Sequence, residues 1–180
     1  MPYTRFVKGT ICETVRDKNM QLTTTAWLPA SRDAVFSFFA DARNLERLTP
    51  PWLHFRILTP EPIEMRTGTL IDYRIQLHGI PLRWRSVISE WSPPQQFTDE
   101  QLSGPYRRWV HTHTFEDVNG GTQVNDSIEF DVIASWLTGW LVMRDLRKIF
   151  AYRHERLARI FGKGVGSLFS KDSRPLFPPG

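Results

Sequence analysis

The sequence predicts an α+β fold: a curved antiparallel β-sheet wrapped around a long C-terminal helix, with two short helices after the first strand. Three observations carry this expectation. Residues 20–29, MQLTTTAWLP, alternate and are rich in β-formers. From WLHFRILT at residue 52 to residue 132 the chain is a run of strands, broken by the turn signals RTG, HGIP, SPPQQ, SGPY and VNGG. Finally, ASWLTGWLVMRDLRKIFAYRHERLARIF reads as one helix, ~40 Å long at 1.5 Å per residue. Such a sheet has one greasy face, and the long helix is its obvious cover.

Each element follows from local chemistry. After the strand at 20–29, Ser31 can cap a short helix whose buried side is Val35, Phe38 and Phe39. A second short helix, Asn44 to Leu48, is stopped by Pro50 and Pro51. In LIDYRIQLHGIPLRWRSVISEW, a two-residue Gly79-Ile80 loop of type II′ pairs His78 with Pro81, Leu77 with Leu82 and Ile75 with Trp84. This puts Ile71, Tyr73, Ile75, Leu77, Leu82, Trp84 and Ile88 on one face, and Arg74, Arg83 and Arg85 on the other. Asn119-Gly120 is a type I′ signal that pairs Val118 with Gly121. Counting back, Phe115 faces Val124, His113 faces Asp126, His111 faces Ile128 and Trp109 faces Phe130.

Composition sets the outer bounds. At 180 residues the chain suits one domain over 19–162, between an N-terminal extension (1–18) and a Gly-, Ser- and Pro-rich tail (163–180). Seven Trp and twelve Phe are more large rings than a core of this size needs. Either they pack an ordinary core, or they line a cavity. The lone Cys12 rules out an intramolecular disulfide and suits a reducing cytosol. The polar N-terminus has no signal-peptide core, and the longest apolar run, VIASWLTGWLVM, falls short of the ~20 residues of a membrane span. A cytoplasmic protein is therefore expected. The net charge of +4 is small and scattered, and no DNA or RNA motif is visible, so nucleic-acid binding is not expected.

The stretch RRWVHTHTFE (107–116) carries the most chemistry. Trp109, His111, His113 and Phe115 share one strand face, where two imidazoles are odd neighbours for the rings. A metal would need a third ligand. His54 is the only other ring nearby, and Asp126 could be a third ligand but sits in carboxylate-poor surroundings, so the sequence assigns no metal and no cofactor. A His113–Asp126 pair in an apolar cavity could instead act as a general acid–base, with Tyr73 offering a phenol. Alternatively the pair satisfies itself and orients a ligand's polar head. Arg153 interrupts the helix stripe Leu146, Ile149, Phe150, Leu157, Ile160 and Phe161; it either enters the cavity to bind a carboxylate, phosphate or quinone oxygen, or snorkels past the helix edge or pairs with an acidic neighbour. The helix's other cations should be solvated. Transient docking to an anionic membrane surface stays open, with Trp52 and Leu53 of PPWLHF as contact points.

TDEQLSGPYRRWVHTHTFE, GIPLRW, LTPPWL and the helical IFAYR resemble the START-type helix-grip superfamily, also called SRPBCC, over residues 19–162. The resemblance is nearest to polyketide cyclase/dehydrase-like and coenzyme-Q-binding-like members. It implies a hydrophobic tunnel between sheet and C-terminal helix, holding a lipid, isoprenoid, quinone or polyketide-like molecule. It does not imply catalysis, since the superfamily includes carriers, sensors and a minority of cyclases. The residues expected around such a ligand are Tyr73, Trp84, Trp109, His111, His113, Phe115, Asp126, Phe130, Phe150 and Arg153. Should the protein be an enzyme, a cyclase, dehydratase or isomerase, His113 and Asp126 would be its acid–base pair. The oligomeric state is not legible.

Overall fold

The computed structural model describes residues 9–16, 19–132 and 135–162; the expected tail lies outside them. The strands are β1 (Gly9–Arg16), β2 (Asn19–Leu28), β3 (Arg56–Ile57), β4 (Leu70–Leu77), β5 (Ile80–Ser92), β6 (Gln96–Ser103), β7 (Arg108–Val118) and β8 (Gly121–Asp131). The helices are α1 (Arg32–Ala40), α2 (Arg43–Leu48) and α3 (Ser135–Phe161), with a 3-10 turn at Pro51–Leu53. All described strands lie in one antiparallel sheet, ordered β1-β2-β8-β7-β6-β5-β4-β3. The sheet begins one strand earlier than expected. Residues 9–16, read as part of a polar extension, pair with β2 from Gly9↔Ala26 to Arg16↔Asn19. An edge strand needs few apolar residues, because its backbone pairing, not its greasy face, holds it.

Ser31 caps α1 by accepting a hydrogen bond from the Ala34 backbone N–H, and Asp33 sits favourably in the first turn. Val35, Phe38 and Phe39 are buried as expected, and so is Phe36, whose ring meets Trp91, Phe97 and Phe115. These rings form one core cluster with Leu157 and Phe161 of α3. A second cluster joins Met20 and Leu22 of β2 and Ile128 and Phe130 of β8 to Met143, Leu146 and Phe150 of α3. Burying each such side chain contributes roughly 1.5–3 kcal/mol, so α3 is fastened to the sheet at both ends.

Both long hairpins place their side chains on the expected faces. β7 and β8 pair with the expected register, from Val118↔Gly121 to Trp109↔Phe130, around Asn119 and Gly120, both at positive φ. The β4–β5 turn differs. Its central residues are His78 (φ 49°) and Gly79 (φ 83°), so Leu77 pairs with Ile80 and Tyr73 with Trp84. That is a type I′ turn with the register two residues from the expected one. A slip of two keeps parity, so Ile71, Tyr73, Ile75 and Trp84 still face inward.

Candidate functional site

A cavity of about 200 Å³ lies between the inner faces of β4–β7, α2, the 3-10 turn and α3. Most of its wall is apolar, as in the run from Leu48 and Leu53 through Ile71 and Ile75 to Ile88 and Phe150. Its charged side chains and imidazoles are gathered at one place. Strand alternation brings His111 and His113 of β7 to the cavity, and α3 adds Arg153 one turn beyond Phe150. The β6–β7 register sets Asp99 opposite His111 and Phe97 opposite His113. The Phe97 and His113 rings stack with centroids 4.2 Å apart, and the two imidazoles lie 3.9 Å apart.

Behind the imidazoles is Asp126, 1% exposed. Its Oδ1 lies 3.0 Å from His111 Nε2 and 2.7 Å from His113 Nδ1, the second contact short but off the line of a hydrogen bond. Thr24 Oγ1 donates to Asp126 Oδ2, and an Arg153 terminal nitrogen lies 3.7 Å from Oδ1. In front, Asp99 Oδ2 lies 3.7 Å from His111 Nδ1 and 3.5 Å from His113 Nε2. The two rings therefore stand between two carboxylates. The sequence-based expectation that only His113 meets Asp126 is corrected: His111 reaches it diagonally, because side chains two residues off register on one face are still neighbours.

Burial and charge compete in this cluster. Burial pushes the Asp126 carboxyl up, but Arg153, His113 and the imidazole hydrogen bonds hold it well below the usual carboxylate range. Burial likewise pulls His113 down, yet the Asp126 charge and the close approach of the Asp126 and Asp99 carboxylates leave it raised. His111 is lowered, by burial and by its neighbour His113. The guanidinium of Arg153 packs over the rings of Phe39 (5.1 Å) and Phe150 (5.7 Å). Its Nε is buried with no acceptor among the described residues.

Of the expected ligand-facing residues, Tyr73, Trp84, Trp109, His111, His113, Phe150 and Arg153 line the cavity. Phe115 and Phe130 do not: they are packed in the two core clusters, and Asp126 lies behind the histidines. Arg153 turns inward rather than snorkelling. Leu53, expected as a surface contact, is buried on the cavity wall, whereas Trp52 is exposed and meets the ring of Tyr152 edge-on. Further along the same sheet face, on β4 and β5, Trp84 Nε1 donates to Ser86 Oγ, which lies 3.4 Å from the Tyr73 hydroxyl. Burial raises the Tyr73 phenol well above its ordinary value, so it stays protonated. Asp99 and Ser86 were missed from sequence. The alternation Phe97–Asp99 in QFTDEQ was the available signal for Asp99, but no tight turn ties β6 to β7.

No helix among the described residues is long and apolar enough to cross a membrane. No curated protein matches the chain in sequence. Among solved structures, protein Ms6760 from Mycobacterium smegmatis superposes with a TM-score of 0.62 at 16% identity, over 86% of this chain and 96% of that one. Ginseng major latex-like protein 151 from Panax ginseng gives 0.53 at 11% identity, over 87% and 98%. A nucleoside-diphosphate sugar epimerase from Corynebacterium glutamicum gives 0.52 at 28% identity, over 76% of this chain but 28% of its own length. These likenesses support the α+β helix-grip arrangement. A family model covers residues 28–161, which include β7, β8 and the whole histidine–carboxylate cluster, and by that match the chain belongs to the family described as Domain of unknown function (DUF8410).

Proposed function

We propose that this protein binds, and hands on, a hydrophobic small molecule with one oxygen-bearing end: a lipid, isoprenoid, quinone or polyketide-like compound. The observation that carries this reading is a ring-lined cavity whose charged side chains and imidazoles are gathered at Asp99, His111, His113 and Arg153. The apolar body of the ligand is recognised by burial, and its polar end by that cluster. The unpaired Arg153 Nε favours an acceptor oxygen, such as a carboxylate or quinone oxygen. The lone Cys12 suits the reducing cytosol as the place of action.

Native mass spectrometry of protein purified without detergent should show bound lipid-like mass. Titration with a fluorescent fatty acid should give one equivalent bound at micromolar Kd. Arg153→Met should weaken that probe about tenfold, the scale of a lost charge-assisted hydrogen bond, while leaving the corresponding fatty alcohol unchanged. An interior that takes up neither probe overturns the reading.

A second reading, a cyclase or dehydratase, is favoured by His113 itself. It lines the cavity, contacts two carboxylates and has its protonated form stabilised, as a general acid–base requires. Turnover of a polyketide-like substrate that survives both His113→Gln and Asp99→Asn would remove it.

A further inference from the structure

From the donor atoms around the cavity, we propose a binding site for a first-row divalent transition cation, Zn2+ or Fe2+, formed by Asp99, His111 and His113. One ligand atom from each of these residues lies within 4.8 Å of the other two. Asp126, the third ligand the sequence offered, stands behind the rings instead; the β6–β7 register supplies another by placing Asp99 on the same face.

The stronger argument is what stands behind the rings. Each imidazole turns one nitrogen toward Asp126, His111 through Nε2 and His113 through Nδ1. That leaves His111 Nδ1 and His113 Nε2 pointing toward Asp99, on the cavity side. A carboxylate that holds the far nitrogen of a histidine fixes its tautomer and ring angle and makes the near nitrogen a better donor. Here one buried carboxylate serves both rings, and is itself held by Thr24 and Arg153. An acid–base dyad needs one histidine and one carboxylate; a pair of rings aligned by a shared carboxylate, with a second carboxylate across from them, is the arrangement of a metal centre.

Ligand atoms about 2.0–2.1 Å from a tetrahedral ion are roughly 3.3 Å apart. The two Asp99 contacts, 3.5 and 3.7 Å, are a few tenths of an ångström longer, and the three donor atoms together span no more than 4.8 Å, so binding draws the two imidazole nitrogens and Asp99 inward around the ion. Asp99 is the least buried member, with a side chain 21% exposed. Two imidazoles and one carboxylate select borderline ions over Mg2+ or Ca2+, which prefer all-oxygen shells. The remaining coordination positions open onto the cavity, where all three residues lie on the wall. A ligand's carbonyl or carboxylate oxygen would enter there, with Arg153 beside it to balance the charge.

The site shares its cavity with the proposed apolar ligand but stands on donor atoms alone. It is tested on the full chain stripped with EDTA and freed of lipid, so its failure leaves the ligand reading untouched. Titration with Zn2+ against a chromophoric chelator should show one equivalent bound at submicromolar Kd. Co2+ should give visible bands stronger than those of the aquo ion, a mark of low coordination number. Asp99→Asn should weaken Zn2+ at least tenfold. Asp126→Asn keeps all three ligands and should weaken it ~10–100-fold, the usual cost of losing such support, and should alter the Co2+ spectrum. The other close His–Asp pair, His78 and Asp145, is 2.6 Å apart near the surface, and His78→Ala should change nothing. The wild-type measurement decides even where a variant fails to fold. Stoichiometry well short of one equivalent, an aquo-like Co2+ spectrum, unchanged affinity in folded Asp99→Asn, or loss of binding in His78→Ala each overturns the site.

Discussion

Asp126 is the residue on which the cluster's stability turns. It is buried, it faces two imidazoles and Arg153, and these partners are themselves buried. Asp126→Asn in the metal-free protein should therefore cost about 3–5 kcal/mol, the range for breaking a buried charge pair by removing one partner, read from urea unfolding. The two histidines make a prediction of opposite signs. His111 sits below the ordinary imidazole value of 6.5, so between its folded value and 6.5 the unfolded chain binds more protons and stability falls as the pH drops. His113 sits above 6.5, so its contribution is complete below 6.5 and is lost as the pH rises through its folded value. His154, lowered mainly by burial, adds to the acid limb. Asp99, Asp126 and Arg153 are the charges facing the pair. Unfolding free energy of EDTA-treated protein should thus peak near pH 6.5, with His111→Asn flattening the acid side and His113→Asn the alkaline side. A monotonic curve through that range in the wild type would contradict both assignments.

The hairpins show which parts of the element level can be read from sequence. Asn119-Gly120 is an unambiguous I′ signal, so the register that places His113 opposite Asp126 was legible residue by residue. The β4–β5 turn was not, because its first central residue is His78 in a left-handed conformation, and nothing in the sequence marks a histidine for positive φ. Its face assignment still held, since alternation depends on parity and not on the loop. Asp99 was invisible for a different reason. Four residues, Gly104 to Arg107, separate β6 from β7, and a loop of that length leaves the register open. β1 escaped because its sequence, GTICETVR, lacks a continuous apolar face. The I′ turn itself carries a sharp expectation. Gly120 is at φ +72° with open space around an added Cβ, so Gly120→Ala should cost only the backbone term, ~1–2 kcal/mol. At Gly121 an added Cβ would meet the Leu28 carbonyl oxygen and the Trp27 ring, so Gly121→Ala should cost more and loosen β8 from β2. Equal losses for the two variants in parallel denaturant melts would refute that distinction.

At the scale of the molecule, the question is how the proposed ligand would enter a cavity that lies between the sheet and α3. A shallow groove runs over the cavity's edge, between the 3-10 turn, the β4–β5 turn and α3, and it shares Leu53, Leu77 and Ile149 with the cavity wall. One contact crosses that groove and another lies beside it. His78 Nε2 lies 2.6 Å from Asp145 Oδ2, joining the β4–β5 turn to α3. Trp52 meets Tyr152, joining the 3-10 turn to α3 one helical stretch further on. The strained turn at His78 thus has a consequence beyond register: it aims the imidazole at the helix. Both contacts are partly exposed, and a solvent-exposed ion pair contributes ~0.2–1 kcal/mol. They are weak, and neither involves a residue of the polar cluster. His78→Ala should therefore raise the rates of uptake and release of a bound fluorescent fatty acid together, by roughly two- to fivefold on that energy scale, with Kd nearly unchanged. Trp52→Ala should act in the same direction, and the double variant should exceed either one. Stopped-flow mixing separates these effects from a loss of affinity: a Kd that rises while the uptake rate stays fixed would move the entrance elsewhere on the molecule.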